Sequence, residues 1–169
     1  MKNATLMTST WFIKTVKHPL RFRLFLFSKL PLALLAGLRI REMTEQRCVV
    51  SVPYKWLNKN PFRSAYFAVL AMAAELSTGI LSMARVMDQP VRVALLVVKI
   101  EGEFFKKATT RTYFTCNDGA ALSAIIKKAV AEKQPQQFTA TSYGVNAAGE
   151  AIATFRITWS FKAKGSLNV

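Results

Sequence analysis

The sequence predicts an α+β domain in which one long, alanine-rich helix is enclosed by antiparallel strands, with a helical extension at the N-terminus. The helix is indicated by residues 60–86, an apolar run with many small side chains and few charges. Residues 151–162 alternate apolar and polar side chains, which is typical of a strand with one buried face. With 169 residues, 51% of them hydrophobic, the chain can bury the core of one such domain.

The predicted extension comprises residues 1–36, and the domain comprises residues 37–169. Within residues 18–38, large apolar side chains recur at helical spacing: Phe22, Phe25, Leu26 and Leu30. Pro31 is expected to kink or divide this helix. Basic residues also interrupt the run, so no membrane-spanning segment is expected here: Arg21, Arg23 and Lys29. Two interpretations stay open: a helix that packs on the domain, or an interfacial helix that touches anionic lipid.

The long helix carries the clearest local signals. Asn60 is a good N-cap residue because its side-chain oxygen can accept from the free N–H groups of the first turn, and Pro61 suits the first helical position. Alanines along the helix would let other backbone approach closely, as expected of an enclosed helix. Glu75 is a lone carboxylate within this apolar run. Burying a carboxylate is unfavourable unless it is paired or hydrogen bonded, so Glu75 is balanced by a partner or kept for chemistry.

Strands are predicted on both sides of the helix. Residues 38–54 precede it as extended structure, and residues 91–105 follow it as an almost continuous apolar run, which indicates a strand buried on both faces. A shorter helix capped by Asn117-Asp118 buries one stripe: Leu122, Ile125, Ile126, Ala129 and Val130. Other strands are expected at residues 109–116, 138–145 and 151–162, with a turn at residues 146–149 between the last two.

A net charge of +15 favours polyanionic partners, among them nucleic acid, acidic membrane surfaces and phosphorylated small molecules such as coenzyme A. The basic residues are spread along the chain, and no basic-aromatic motif supports a nucleic-acid site. Lys106, Lys107 and Arg111 are candidates to meet coenzyme A phosphates, or they belong to a solvated face. Cys48 and Cys116 lack metal or redox spacing and are expected to be reduced thiols of a cytoplasmic protein without a signal peptide.

Three parts of the sequence resemble a known family. They are the helix entry Asn60-Pro-Phe-x-Ser64, the helix body from Tyr66-Phe67 to Ala74-Glu75-Leu76, and the closing segments Tyr143-Gly144, Gly149-Glu150 and Phe155-Arg-Ile-Thr-Trp159. Over residues 37–164 the sequence resembles the hot-dog thioesterase-like domains. Within them it is similar to a family of unknown function related to the thioesterase-like C-terminal domain of a bacterial acetyltransferase. The resemblance implies a hot-dog fold, in which a strongly curved antiparallel sheet wraps the long helix.

The resemblance also implies an acyl-thioester ligand, carried on coenzyme A or on acyl carrier protein, and a homodimer that could pair again into a tetramer. In related thioesterases the acyl group lies beside the long helix at the dimer interface, and amides at the helix N-terminus polarise the thioester carbonyl. Carried over to this chain, the amides near Ser64, Ala65 and Tyr66 are the oxyanion candidates. Glu75 is the candidate general base, because partial burial would raise its basicity.

Several of these residues have a functional and a structural interpretation, and both stay open. Glu75 is the base, or a structural glutamate paired with an arginine or with backbone donors. Asn60 is a helix cap, or a group that orients water or the carbonyl. Tyr66 and Phe67 are walls of an acyl pocket or core aromatics. Thr78 is assigned to substrate binding, or to the support of Glu75.

The predicted function is hydrolysis of an acyl thioester. The alternative is a hot-dog protein that binds acyl chains or lipids without catalysis and associates with membrane surfaces. A hydratase of this fold would need a histidine in the site, and His18, the single histidine, lies in the extension. No Ser-His-Asp or Cys-His arrangement and no cluster of metal ligands can be built, so no metal or other cofactor is expected.

Overall fold

The structure of the protein is a computed structural model that describes residues 9–164. Three helices come first: α1 (Ser9–Lys17), α2 (Pro19–Lys29) and α3 (Pro31–Ala36). They are followed by β1 (Arg39–Met43), β2 (Cys48–Val52), a 3₁₀ turn (Trp56–Asn58) and the long helix α4 (Phe67–Met87). The remaining elements are β3 (Val93–Phe104), β4 (Thr112–Cys116), α5 (Gly119–Glu132), β5 (Gln136–Asn146) and β6 (Ala151–Ala163).

The six strands form one antiparallel sheet in the order β1-β2-β4-β5-β6-β3. This sheet wraps α4, which contacts every strand from β2 to β6. By length and composition alone α4 could cross a membrane, but most of it is buried inside the domain, as expected of a core helix. The arrangement confirms the predicted α+β class and the hot-dog fold.

The contact between α4 and the sheet follows the sequence pattern. In β6 the apolar members of the alternation face inward and are buried, as predicted: Ala153, Phe155, Ile157, Trp159 and Phe161. On α4 the small side chains Ala73, Ala74 and Ala84 are fully buried, so the helix lies close to the strands. The hydroxyls of Ser77 and Ser142 are hydrogen bonded at 2.8 Å between α4 and β5.

The prediction that Asn60 caps the long helix and that Pro61 is its first residue is wrong: α4 begins at Phe67, and Tyr66 is its N-cap. Asn60 caps a turn of the preceding loop instead, because its Oδ1 accepts from the backbone N–H groups of Phe62 at 3.0 Å and Ser64 at 3.1 Å. Arg63 follows with a left-handed backbone (φ +59°), which stops a helix from forming there. Asparagine favours such turns as strongly as it favours helix starts, and the sequence alone does not separate the two.

The N-terminal helices pack on the domain. Pro31 is the first residue of α3 and divides the predicted helix in two, as expected. Helix α1 was not predicted. Buried side chains from α1 and α2 join the core cluster of the domain: Phe12, Val16, Phe22 and Leu26. The first eight residues of the predicted extension 1–36, and the last five of the predicted domain 37–169, lie outside the described residues.

The prediction that residues 91–105 form a strand buried on both faces is wrong. This strand, β3, lies at the edge of the sheet and pairs only with β6. Ile100 and Phe104 lie opposite the buried Ile157 and Ala153, so they point to the inner face of the sheet. They are nevertheless 49% and 52% exposed, because α4 does not cover this part of the sheet.

Helix α5 begins where predicted, but its N-cap residue has another partner. Asp118 occupies the cap position without a side-chain cap, and its Oδ2 accepts from the backbone N–H of Thr141 at 2.7 Å. Gly119, the next residue, lies against the backbone of the β1–β2 turn. A Cβ there would overlap the carbonyl oxygen of Glu45 and come within 2.5 Å of the Cα of Gln46. The close approach therefore requires glycine.

We expect Gly119→Ala to lower the free energy of unfolding by about 3 kcal/mol or more, because backbone atoms cannot move aside as a flexible side chain can. Gly149→Ala is the matched control. Its added Cβ meets no atom within 4 Å, and only the positive φ of +82° opposes it. The control should therefore lose only about 1–2 kcal/mol. Urea unfolding of both variants measures the difference, and an equal loss would contradict the close approach at Gly119.

The two cysteines are free and buried, and they lie opposite each other in β2 and β4. Burial raises the pKa of the Cys48 thiol, and it raises the pKa of Cys116 to about 12. Because thiolates are the reactive form, we expect neither cysteine to react with a thiol reagent such as DTNB in the folded protein. Both should react once urea unfolds the chain. Rapid reaction of the folded protein would contradict this placement.

Candidate active site

A cavity of about 610 Å³ opens at the N-terminal end of α4. One wall consists of loop residues 60–66 and the first turn of α4, and the opposite wall consists of residues 104–108, at the end of β3 and just beyond it. Apolar side chains make up most of the lining. The structure brings five of the seven predicted site residues together here: Asn60, Ser64, Ala65, Tyr66 and Phe67.

The backbone amides predicted for the oxyanion site are already hydrogen bonded. The N–H of Ser64 donates to Asn60 Oδ1 at 3.1 Å, that of Ala65 to the Ala108 carbonyl at 2.7 Å, and that of Tyr66 to the Asn58 carbonyl at 2.7 Å. These bonds fix the loop at the mouth of the helix. They leave none of the three N–H groups available to a ligand.

The free amides belong to the two residues that follow Tyr66. Tyr66 is the N-cap of α4, so Phe67 and Ala68 occupy the first two helical positions. Neither N–H donates to any residue within 9–164. Free N–H groups and the positive end of the helix dipole make this point suited to a negatively charged or polarised oxygen.

The polar side chains of Asn60 and Ser64 hold the loop together. Asn60 Oδ1 accepts from the hydroxyl of Ser64 at 3.2 Å, as well as from the two backbone groups already described. Asn60 Nδ2 donates to the Ala65 carbonyl at 3.4 Å. Both residues line the cavity, but their hydrogen-bonding groups are engaged within the loop. They position the helix entrance.

Aromatic rings form the cavity wall at the helix start. Tyr66 and Phe67 lie edge to face, with 4.8 Å between ring centroids. They are 47% and 56% exposed, so neither belongs to the core. Their apolar faces would suit an acyl chain or the apolar part of a carrier.

The basic residues near this cavity are already engaged. Lys106 Nζ donates to Glu150 Oε1 at 2.5 Å, and this bond, together with one from Asn146, holds the pKa of Glu150 below its usual value. Lys107 Nζ donates to the Phe62 carbonyl at 3.4 Å, a long bond that keeps its charge at the cavity wall. Arg111 does not line the cavity.

Glu75 lies in a different place. It lines a second cavity of about 270 Å³ between α4 and the junction of α2 with α3. The rest of the lining is mainly apolar: Lys29, Leu30, Pro31, Leu32, Ala33, Met72 and Leu76. Within residues 9–164 no hydrogen bond or ion pair reaches its carboxylate, so no arginine or backbone partner balances it there. Burial raises the pKa of Glu75 above its ordinary value.

Glu75 and the free amides are too far apart to act together within one chain. Glu75 follows Phe67 by eight residues, which is about 12 Å along a helix axis. The two cavities share no lining residue. One thioester carbonyl therefore cannot contact both groups of the same chain.

Thr78 supports the Glu75 region from inside the fold. Its hydroxyl donates to the Glu75 carbonyl and accepts from the indole N–H of Trp159, both at 3.0 Å. Thr78 is fully buried and lines neither cavity. A Cβ at Gly79 would come within 3.1 Å of Glu75 Oε1 and 3.2 Å of the Trp159 ring, so this glycine leaves the room that the carboxylate occupies.

Two features of the site were missed by sequence reasoning. The amides of Phe67 and Ala68 were not chosen, because the helix start was placed six residues too early. The cover over Glu75, formed by residues 29–33, comes from a segment more than forty residues away and has no local signal. In the described part of the chain, no three or more His, Cys, Asp or Glu residues lie together as a group that could hold a metal ion.

The chain is similar to one family of unknown function and to solved structures with the same fold. The sequence model of one family, "Domain of unknown function (DUF4442)", matches residues 20–161. No curated protein matches the chain significantly. Among solved structures, PA5026 of Pseudomonas aeruginosa, described as a probable thioesterase of unknown function, superposes with a TM-score of 0.74 at 17% identity, covering 86% of this chain and 97% of the other.

Two further structures share the fold. A thioesterase family protein from Silicibacter pomeroyi has a TM-score of 0.61 at 19% identity, over 90% of this chain and 99% of the other. The PaaI protein of Escherichia coli, from the phenylacetic acid degradation operon, has a TM-score of 0.61 at 14% identity, over 91% of this chain and 96% of the other. At these identities the similarity establishes the fold.

Proposed function

The chain belongs to the DUF4442 family of domains of unknown function, and from this membership and its hot-dog fold we propose that it hydrolyses acyl thioesters. The observation that carries the proposal is the cavity at the start of α4, where the amides of Phe67 and Ala68 have no acceptor among the described residues. Two amides at a helix N-terminus can stabilise the oxyanion that forms when water attacks a thioester.

The ligand would enter with its carbonyl oxygen toward these amides and its apolar part against Tyr66 and Phe67. Attack by water breaks the carbon–sulfur bond and releases a carboxylic acid and a thiol. The general base that takes the proton of water would be a carboxylate of raised pKa, and Glu75 has that property. The strongly positive net charge suits an anionic carrier, coenzyme A or acyl carrier protein, in the cytoplasm.

The distance between Glu75 and the amides makes a dimer part of the proposal. Edge strand β3 leaves Ile100 and Phe104 exposed on the inner face of the sheet. Antiparallel pairing of two β3 edges would extend the sheet and set the two α4 helices side by side in opposite directions. Glu75 of the partner subunit would then serve the amides of the first chain.

We expect Ile100→Asp to halve the mass of the protein in solution, because a charge at the centre of the β3 edge would oppose pairing. Light scattering after gel filtration measures the mass. Ala121→Asp, on the exposed side of α5, is the control for the added charge and should leave the mass unchanged. A wild-type monomer, or a dimer that survives Ile100→Asp, would contradict pairing along β3.

A panel of acyl-coenzyme A substrates, with detection of the released thiol, tests the proposed activity. Mixing Glu75→Gln subunits with Phe67→Pro subunits tests whether the site is shared between subunits. The Phe67→Pro subunits lack the N–H group of residue 67. Each mixed dimer keeps one complete site, so random mixing should restore about a quarter of the wild-type activity. If both groups act within one chain, the mixture stays inactive.

A second function is favoured by one observation: none of the described residues that line the cavity at the helix start carries a carboxylate. A protein that binds acyl groups without hydrolysing them would need only the apolar wall and the amides. In that case acyl-coenzyme A would bind without release of thiol, and Glu75→Gln would not change its affinity.

A further inference from the structure

The outward face of α2 is apolar. Phe22 and Leu26 point into the core, and on the opposite face of the helix lie Leu20, Leu24 and Phe27. These three side chains are 63%, 60% and 70% exposed. A helix on the surface of a domain normally turns polar residues outward, so the exposed apolar face needs a functional explanation.

The apolar face continues beyond α2. On α3, Leu32 and Leu35 are also well exposed. We call these five residues the leucine face: Leu20, Leu24, Phe27, Leu32 and Leu35. Beside α3 lies the 3₁₀ turn, held by a bond from Lys55 Nζ to the Leu35 carbonyl, and it carries the most exposed aromatic residue of the described part, Trp56. Tryptophan is enriched where proteins meet the membrane interface.

The charged residues of α2 are all basic. The sequence contains no aspartate or glutamate before Glu42. Arg21 and Arg23 flank the face on its two sides, and Lys29 follows at the end of α2; all three are exposed. None of them takes part in an ion pair with another described residue.

From these observations we propose that the leucine face docks the protein on an anionic phospholipid bilayer. Helix α2 lies in the plane of the interface, with Leu20, Leu24 and Phe27 among the acyl chains. Arg21 and Arg23 extend sideways to the phosphate groups, as long basic side chains do at interfaces. Charge attraction and apolar burial act on the same helix, and their combination is what stable binding to anionic lipid requires.

A second copy of the chain fits the leucine face less well than a bilayer. Symmetric pairing of this surface would place the same arginines opposite one another, and α2 itself carries no acidic side chain to balance them. An anionic bilayer supplies both the apolar medium and the opposite charge.

The docked orientation would also give Glu75 access to the lipid phase. The cavity that contains Glu75 is lined by Leu32 of the leucine face and by the adjacent Leu30 and Pro31. An acyl chain could therefore reach the cavity from the bilayer without crossing water. This access route rests on the proposed thioesterase function, whereas docking does not.

Sedimentation with vesicles tests the proposal on the full chain. Vesicles of phosphatidylcholine with phosphatidylglycerol should bind the protein, and vesicles of phosphatidylcholine alone should bind it at least about 20-fold more weakly, since each basic residue contributes to binding at an anionic surface. Binding to the mixed vesicles should weaken as salt is raised. Glu75→Gln should dock like the wild type, which separates docking from hydrolysis.

Two double variants test the residues, each with a matched control on α5. Leu24→Asp/Phe27→Asp should lower binding by at least about 100-fold, since the variant loses two exposed apolar side chains that docking would bury among the acyl chains. Ala121→Asp/Ala124→Asp, with the same change of charge, should lower it much less. Arg21→Glu/Arg23→Glu should lower it at least about 20-fold and more than Lys127→Glu/Lys128→Glu. Circular dichroism confirms that each variant is folded.

Three results would overturn the proposal. One is the absence of binding to the mixed vesicles. Another is equal loss in the α2 variants and their α5 controls, which would mean that net charge alone is responsible. The third is a lower mass in solution for Leu24→Asp/Phe27→Asp with vesicle binding unchanged, which would identify the leucine face as a contact between copies.

Discussion

Replacing Glu75 with glutamine should lower the rate of thioester hydrolysis by about 100- to 10,000-fold, the usual contribution of a general base. The same change should make the folded protein more stable at neutral pH. The carboxylate is partly buried, and no described residue pairs with it, so its ionised form is unfavourable in the fold. Glutamine keeps the shape and removes the charge.

The pH dependence has a definite sign. Burial raises the pKa of Glu75 in the folded state above its unfolded value, so the folded protein holds this proton to higher pH than the unfolded chain does. Stability from this group is therefore present at low pH and is lost as pH rises through the folded pKa. Hydrolysis should change the opposite way and rise with pH as Glu75 loses its proton.

Thermal unfolding and steady-state rates, measured across pH for the wild type and Glu75→Gln, test both parts. Glu132→Gln, an exposed position on α5, is the control and should change neither property much. If Glu75→Gln lowers stability instead, Glu75 is a structural residue with a partner. If it leaves the rate unchanged, Glu75 is not the base.

Replacing Phe67 with proline should lower the rate of hydrolysis by about 100- to 1,000-fold, because proline removes one of the two free amides at the oxyanion site. The substitution suits the backbone. Phe67 is the first residue of α4, where proline is well tolerated, and Tyr66 already has the extended backbone that precedes a proline (φ −64°, ψ 135°). The helix should therefore remain intact.

Phe67→Ala separates the amide from the ring. It also removes the aromatic wall of the cavity, but it keeps the N–H group. Its main effect should be weaker substrate binding, seen as a higher KM with a smaller change in kcat. Equal values of kcat in Phe67→Pro and Phe67→Ala would show that the amide does not stabilise the transition state.

Much of the fold could be predicted from the sequence, because it is encoded in local periodicity. The alternation in β6 fixed which residues face the core, and the apolar stripe of α5 fixed its buried side. The long apolar run of α4 predicted a central helix, and Pro31 predicted the break between α2 and α3. Each of these signals lies within one element, so one sequence is sufficient to detect it.

The predictions that failed concern relations between elements. Apolar composition cannot distinguish a central strand from an edge strand whose apolar residues stay exposed, so the position of β3 was predicted wrongly. Asn60 is equally suited to cap a helix or a turn. Where α4 begins is decided by two backbone hydrogen bonds, from the N–H of Ala65 to the Ala108 carbonyl and from the N–H of Tyr66 to the Asn58 carbonyl. Because α4 begins later than predicted, the free amides are those of Phe67 and Ala68 and not those of residues 64–66.

The sequence by itself determined the α+β architecture, the central helix and the presence of a single carboxylate within that helix. The tertiary structure alone decided where that carboxylate lies: in a cavity under α3, about 12 Å from the helix start. The reason is physical. Residue type and spacing set which face of a helix is apolar, but distances between a helix, its covering segments and a sheet edge depend on contacts between residues far apart in the chain.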